Sequence, residues 1–115
     1  MAITIFHNPR CSKSRATLAL LQERGIKPDV RLYLENPPDA SELKDILSQL
    51  DMSPRELMRR GEAEYREQGL ADESIEDDAL ITAMVQTPRL IERPIVLANG
   101  KAALGRPPES VLDIL

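Results

Sequence analysis

The sequence has no tryptophan, one cysteine, one histidine and only 3% aromatic residues. One cysteine excludes an internal disulfide and a cysteine-rich metal site, and one histidine leaves few other soft ligands, so we expect no metal site. No stretch approaches the roughly 20 apolar residues of a membrane span, and the first residues lack the basic lead and apolar run of a signal peptide. We therefore expect a cytoplasmic protein whose cysteine, if it does redox chemistry, reacts with a thiol of another molecule.

Charge and length set two further limits. The 19 Asp and Glu residues exceed the 15 Lys and Arg residues, giving a formal net charge of -4, whereas general nucleic-acid and membrane-surface binders need a broad positive field. We expect neither nucleic acid nor membrane as a partner, and any anion site must be local. The 115 residues suit one hydrophobic core, and without repeats or linkers they predict a single domain over residues 1–115.

The first 35 residues have the pattern of a strand, a helix and a second strand. Residues 3–6 are typical of a short buried strand, residues 12–24 have helical spacing before Gly25, and residues 30–34 alternate as in a half-buried strand. The apolar positions of the helix and of the second strand are, in order, Ala16, Leu20, Leu21, Val30, Leu32 and Leu34. This βαβ order favours parallel pairing of the two strands.

The middle of the chain is predicted to be helical, after a break at Asn36-Pro37-Pro38. Three segments have their own start signals, which are Asp39 with Glu42, Ser53 with Pro54 and Glu56, and Ser74 with Asp77.

The last part predicts a hairpin and a closing helix. Asn99-Gly100 separates two apolar runs, which is the strongest short-range hairpin signal. Residues 109–115 follow as a helix with Val111, Leu112 and Leu115 turned inward. The whole order is βαβ, helical insertion, ββα, and it predicts an α/β protein with a four-stranded mixed sheet.

Cys11 lies between the first strand and the first helix, in a polar and basic segment. Unpaired backbone N–H groups and the helix dipole attract negative charge there, and such cysteines have pKa values lowered to roughly 3.5–7.5. Arg10, Lys13 and Arg15 act in the same direction. We predict that Cys11 is a thiolate nucleophile, in preference to a buried structural cysteine, which would usually sit in an apolar run.

Other interpretations of this segment remain open. A phosphatase-like loop pairs Cys with Arg across several residues, usually including glycines, whereas Arg10 is adjacent to Cys11 and no glycine is near. The Cys11-x-x-Ser14 spacing suggests a monothiol glutaredoxin-like centre, although Ser14 is also a helix-cap residue. Three roles are open to His7: it lowers the pKa of Cys11 through its charge, donates a proton, or holds the loop by a hydrogen bond, and we favour the electrostatic role.

Several arginines are candidates for an anion site. Arg93, Arg106 and the Arg59-Arg60 pair are each compatible with solvated surface charges, but they lie just outside strands or at a helix end, a placement that favours convergence. Arginine supplies planar, multidentate donors suited to a tetrahedral oxyanion. A cis bond before Pro94 would fit a thioredoxin-like architecture, whereas trans is the commoner state of such bonds.

Five motifs occur along the chain. They are His7-Asn8-Pro9-x-Cys11-x-x-Ser14-Arg15, Asn36-Pro37-Pro38, Leu57-Met58-Arg59 before Tyr65, Arg93-Pro94-Ile95-Val96, and Arg106-Pro107 before Val111-Leu112-Asp113-Ile114-Leu115. Taken together, they resemble the glutaredoxin-dependent arsenate reductases of the ArsC type over essentially the whole chain.

The resemblance implies a thioredoxin-like fold with a helical insertion, in which Arg59, Arg93 and Arg106 hold arsenate or a related oxyanion. It implies that Cys11 attacks arsenic, that glutathione attacks the thiol–arsenate adduct as co-substrate, and that glutaredoxin resolves the mixed disulfide, with no bound cofactor. The residues that would support this site are His7, Asn8, Ser14, Arg15 and Pro94.

Two alternatives are left open, and the first follows from the same resemblance. Spx-type transcription regulators share the fold and bind RNA polymerase, usually with Cys-x-x-Cys, whereas Ser14 replaces the second cysteine here. The other is a glutathione-linked thiol oxidoreductase with no oxyanion substrate, for which the three arginines would not matter.

Overall fold

The computed structural model describes residues 2–115, which divide into two compact units. The first, the sheet unit, runs to Asn36 and resumes over Arg93–Leu115, and the second, the helical unit, is Pro37–Glu92. The elements in chain order are β1 (Thr4–Phe6), α1 (Ser12–Glu23), β2 (Asp29–Arg31), α2 (Ala40–Leu50), α3 (Pro54–Leu57), α4 (Ala63–Glu67), α5 (Asp77–Gln86), a 3-10 helix (Pro88–Leu90), β3 (Ile95–Ala98), β4 (Lys101–Leu104) and a second 3-10 helix (Pro108–Ile114). Among residues 2–115, no helix is long and apolar enough to cross a membrane. That the chain is one domain stays a prediction.

The sheet unit contains a mixed sheet of four strands in the order β2-β1-β3-β4 across the described residues. β1 pairs with β2 in parallel and with β3 antiparallel, and β3 pairs antiparallel with β4. The predicted α/β class, the mixed sheet and the parallel opening pair are therefore confirmed.

One apolar cluster holds α1 and the second 3-10 helix against the sheet. Ile5 and Val96, which pair across β1 and β3, contact Leu21 of α1 and Val111, and all four side chains are completely buried. Burying a side chain of this size stabilises the fold by about 1.5–3 kcal/mol. The cluster fixes α1 against the sheet through its C-terminal half, and the cysteine lies at the other end of this helix.

The β3–β4 hairpin turns where the sequence predicts. Asn99 and Gly100 have φ values of 56° and 72°, the left-handed pair that a two-residue turn between twisted strands requires.

The prediction of which side chains the second strand buries is wrong. β2 ends at Arg31, and the side chain of Tyr33 is completely buried while Val30, Leu32 and Leu34 are 46%, 36% and 41% exposed. β2 is an edge strand, and Tyr33 stacks on Phe6 with ring centroids 6.4 Å apart. Burial of the larger aromatic ring therefore decides which side faces inward.

Two helices also bury other residues than predicted. α1 buries Ser14, Thr17 and Leu21, whereas Ala16 is exposed. The closing segment is a 3-10 helix rather than an α-helix. Its period of three residues puts Val111 and Ile114 on the packed side and leaves Leu115 exposed.

The helical unit follows its predicted start signals in two of three places. The Asp39 side chain accepts the Glu42 N–H at 2.8 Å, and Ser53 and Glu56 form a complete capping box. The third helix, α5, begins at Asp77 with Glu76 as N-cap, while Ser74 binds Asp72 in the preceding turn. Helices α2 and α3 and the first 3-10 helix pack on α5. The short helix α4 was not predicted.

Candidate active site

Cys11 is the N-cap residue of α1, directly after the loop that leaves β1. Its own backbone N–H donates to the Asn8 carbonyl at 3.0 Å, and its carbonyl accepts from the Arg15 N–H at 3.0 Å. The side chain is only 7% exposed. A thiol at this position faces the N-terminal N–H groups of the helix, as the sequence predicts, but it is more buried than reactive cysteines usually are.

The pKa of the Cys11 thiol reflects a balance between burial and positive charge. Burial by itself raises this pKa. The Ser14 backbone N–H, the positive charge of Arg93, the Lys13 backbone N–H and a hydrogen bond from the Arg93 side chain oppose burial, and together they hold the pKa of Cys11 below its ordinary value. The thiolate, which is the nucleophilic form, is therefore a larger fraction at a given pH than for an ordinary cysteine.

Ser14 organises the loop that precedes Cys11. Its completely buried hydroxyl oxygen accepts the Asn8 backbone N–H at 3.0 Å and lies 2.6 Å from His7 Nδ1. The Asn8 side-chain oxygen in turn accepts the Arg10 backbone N–H at 3.0 Å. These bonds tie β1 to the first turn of α1, so they support the assignment of His7, Asn8 and Ser14 as residues that hold the loop.

His7 acts on the loop rather than through its charge. Burial, followed by the charge of Arg15, holds the pKa of His7 below its ordinary value, so the ring is neutral at neutral pH. Arg15 also donates to the Pro9 carbonyl at 2.9 Å. Of the three roles open to His7, the bond to Ser14 and the lowered pKa favour the one that holds the loop over the electrostatic role that the sequence favoured.

We expect Ser14→Ala to destabilise the protein by about 1–3 kcal/mol, because it leaves the Asn8 N–H and the His7 ring without their shared partner. Urea unfolding measures this loss. Ser12→Ala is the matched control two residues away, since the exposed Ser12 should change stability by no more than about 0.5 kcal/mol. Equal stability of the two variants would contradict the proposed role of Ser14.

Arg93 and Arg106 are brought together at the ends of β3 and β4. The guanidinium of Arg106 donates from Nη1 to the Arg93 carbonyl at 3.3 Å, and Arg93 itself contacts Cys11. Pro94 is buried between Arg93 and β3, and the bonds before Pro94 and Pro107 are both cis. The sheet unit therefore joins the predicted nucleophile to two of the three predicted anion-binding arginines.

Arg59, the third predicted arginine, belongs to the helical unit. Its guanidinium pairs with Glu62, and its backbone N–H donates to the Leu90 carbonyl at 2.7 Å. Glu62 also pairs with Arg89 at 3.3 Å. Its participation in an anion site stays a prediction.

The two units carry opposite net charges. The sheet unit has nine Lys and Arg against five Asp and Glu, a formal charge of +4, whereas the helical unit has six against fourteen, a charge of -8. The net charge of -4 is therefore the sum of a negative helical unit and a positive sheet unit, and the sheet unit contains Cys11. An excess of positive charge in the unit that carries Cys11 favours binding of an anion there.

The comparison with known families identifies this arrangement. The sequence profile of the ArsC family matches residues 6–114. The chain belongs to the ArsC family. The predicted resemblance is therefore confirmed, and the loop, Cys11, Arg93 and Arg106 lie within the part that matches the family.

Relatives of this ArsC-family chain match it over nearly its whole length. It is 60% identical to the uncharacterized protein YfgD of Escherichia coli K12, over 98% of this chain and 96% of that protein. It is 56% identical to a Neisseria meningitidis serogroup A protein named arsenate reductase, over 98% of this chain and 97% of that protein. The structure of an arsenate reductase from Vibrio cholerae has a TM-score of 0.97 and 53% identity, covering 100% of this chain and 98% of that one. The thioredoxin-like fold is confirmed.

Two residues at this site were missed by the sequence analysis. Thr17 is a completely buried polar residue one turn after Lys13, and its hydroxyl donates to the Lys13 carbonyl at 2.8 Å. Gly105 is buried directly before Arg106. The one feature of the sequence that could have indicated Gly105 is its place at the end of an apolar run and next to Arg106, a predicted anion-binding residue.

Proposed function

We propose that this ArsC-family protein reduces arsenate to arsenite, with Cys11 as the nucleophile and with glutathione and glutaredoxin as electron donors. The observation that carries the proposal is the contact of Arg93 with a cysteine whose pKa is lowered. A guanidinium that stabilises a thiolate also offers donors to an oxyanion approaching that sulfur. We choose arsenate as this oxyanion because the Neisseria and Vibrio relatives are named arsenate reductases.

In the first step, the Cys11 thiolate attacks arsenic and an S–As bond forms. One arsenate oxygen is protonated and leaves as water, so arsenic remains in its +5 state. Arg93 and Arg106 bind the remaining oxygens and stabilise the charge that develops on them. Arg59 is assigned to the same task by its place in the family motif.

In the second step, glutathione supplies the other thiol. Cys11 and one glutathione together lose two electrons and form a mixed disulfide, while arsenic gains these electrons and leaves as arsenite. Glutaredoxin then accepts the glutathionyl group by thiol–disulfide exchange, which regenerates the Cys11 thiol. The sequence contains one cysteine, so both later thiols must come from other molecules.

The proposal is tested by arsenate-dependent NADPH oxidation in an assay coupled through glutathione, glutaredoxin and glutathione reductase. We expect turnover that requires arsenate, glutathione and glutaredoxin, and phosphate serves as the unreactive anion control. No arsenate-dependent turnover by a protein whose Cys11 still reacts as an acidic thiol would overturn the proposal. Turnover of a small glutathionylated disulfide, or capture of RNA polymerase, would then identify the thiol-oxidoreductase or the Spx-type alternative.

A further inference from the structure

Gly105 lies where three chain segments meet in the sheet unit. Its backbone N–H donates to the Pro94 carbonyl at 3.0 Å, and its carbonyl oxygen lies 3.5 Å from the hydroxyl oxygen of Thr17, which donates to Lys13. Each of these segments carries one residue of the candidate site. Thr17 lies on α1, which begins at Cys11, Pro94 follows Arg93, and Gly105 precedes Arg106.

The space around Gly105 has no room for a side chain. A Cβ atom added there would overlap the Thr17 hydroxyl oxygen and would lie 2.7 Å from Pro94 Cγ and 3.1 Å from Thr17 Cγ2. Gly25, Gly69 and Gly100 differ, because each has a positive φ and nothing within 4 Å of an added Cβ. Glycine is required at position 105 for its size, whereas those three are explained by backbone conformation.

The neighbours of Gly105 are poorly able to move aside. Thr17 is β-branched and completely buried on a helix, so its side chain has few alternative rotamers. Pro94 is a buried ring. An added methyl group would therefore displace the backbone at positions 105 and 106, which shifts Arg106 and its bond to the Arg93 carbonyl.

We propose that Gly105 is a positioning residue, whose lack of a side chain sets the spacing of Cys11, Arg93 and Arg106. It acts by letting the end of β4 lie against both α1 and Pro94. The part of this inference that concerns arsenate rests on the proposed function, whereas the part that concerns the thiol does not.

Gly105→Ala tests the proposal with two readouts on the folded full-length chain. We expect KM for arsenate to rise on the order of 10-fold to 100-fold, the range expected for misplaced binding groups. We also expect the pH profile of Cys11 alkylation by iodoacetamide to move to higher pH, because the overlap with Pro94 displaces the adjacent Arg93 from the thiolate. Gly69→Ala is the matched control, since it strains a positive φ in the helical unit. It should lower Tm without moving either readout.

A second pair of variants keeps the test informative if Gly105→Ala folds poorly. Thr17→Ala removes the hydroxyl and methyl groups that a Cβ at position 105 would meet, leaving only the overlap with Pro94. We therefore compare the double variant Thr17→Ala/Gly105→Ala with Thr17→Ala alone. KM and the alkylation profile should shift in the same direction as for Gly105→Ala, but by less than Gly105→Ala shifts them from wild type.

The proposal is overturned if the folded Gly105 variants lower Tm but keep the KM and the alkylation profile of their parents. Failure of the proposed function has a different signature. In that case wild type shows no arsenate turnover, while the alkylation profile still reports whether Gly105 positions Arg93.

Discussion

Cys11→Ser is expected to lower arsenate-dependent turnover by a factor on the order of 10³ or more, to the level of the uncatalysed reaction. A serine hydroxyl stays protonated at neutral pH, so the N–H groups of Lys13 and Ser14 and the charge of Arg93 have no anionic nucleophile to stabilise. The coupled NADPH assay measures the loss. Because the sequence has one cysteine, the variant should also take up no iodoacetamide, which intact-mass measurement detects.

The control for Cys11→Ser is Ser12→Ala, at the next position and exposed. It should retain wild-type turnover and a single alkylated thiol. Arsenate-dependent turnover that persists in Cys11→Ser would exclude Cys11 as the nucleophile, whatever the pKa of its thiol.

The second large effect is expected for Arg93→Ala. Removing one preorganised donor from a developing oxyanion typically costs about 10²–10³ in rate, so we expect a loss of that size in kcat/KM for arsenate. The same change removes both the charge and the hydrogen bond that act on Cys11. Arg24→Ala, at the far end of α1 and exposed, is the control and should leave both properties unchanged.

The pH dependence of Cys11 alkylation shows in which direction Arg93 changes the pKa of the thiol. In wild type the pKa of Cys11 is held below its ordinary value, so the reaction reaches its plateau at a lower pH than for a free thiol. Loss of a nearby positive charge raises a thiol pKa, so we expect Arg93→Ala to move the profile to higher pH and to lower the thiolate fraction at neutral pH. An unmoved profile would show that Arg93 does not act on the thiol.

Arg93→Lys separates the charge of Arg93 from its geometry. Lysine keeps the positive charge but loses the planar fork that binds two oxygens. The alkylation profile should therefore stay near that of wild type, while KM for arsenate should rise. If KM is also unchanged, Arg93 serves the thiol alone and another group binds the oxyanion.

The buried position of Cys11 suits this chemistry. Only 7% of the residue is exposed, and interactions between charges are stronger where water is excluded. Burial alone would raise the pKa of Cys11, but Arg93 and the helix N–H groups outweigh this effect. The structure therefore combines restricted access with a stabilised thiolate, which favours reaction with a small anion drawn into the positive sheet unit.

The sequence by itself determined the features that depend on a few adjacent residues. Asn99-Gly100 specified the hairpin, because only residues tolerant of positive φ suit that turn. Ser53 and Glu56 specified the start of α3, since their capping bonds join residues three apart. The position of Cys11 at a helix N-terminus was predicted for the same local reason. The prediction of an acidic thiol followed from that position.

Only the tertiary structure decided which residues face the interior and which distant residues meet. Tyr33, in the turn after β2, is buried rather than Val30 because it stacks on Phe6 of β1. Thr17 is buried because Gly105, 88 positions away, packs against it. Hydrophobic periodicity cannot predict such contacts, since burial is set by what lies across the interface and not by the residue's own polarity. For the same reason, the contacts that require glycine at position 105 could not be predicted from the sequence, which marked this residue only by its place before Arg106.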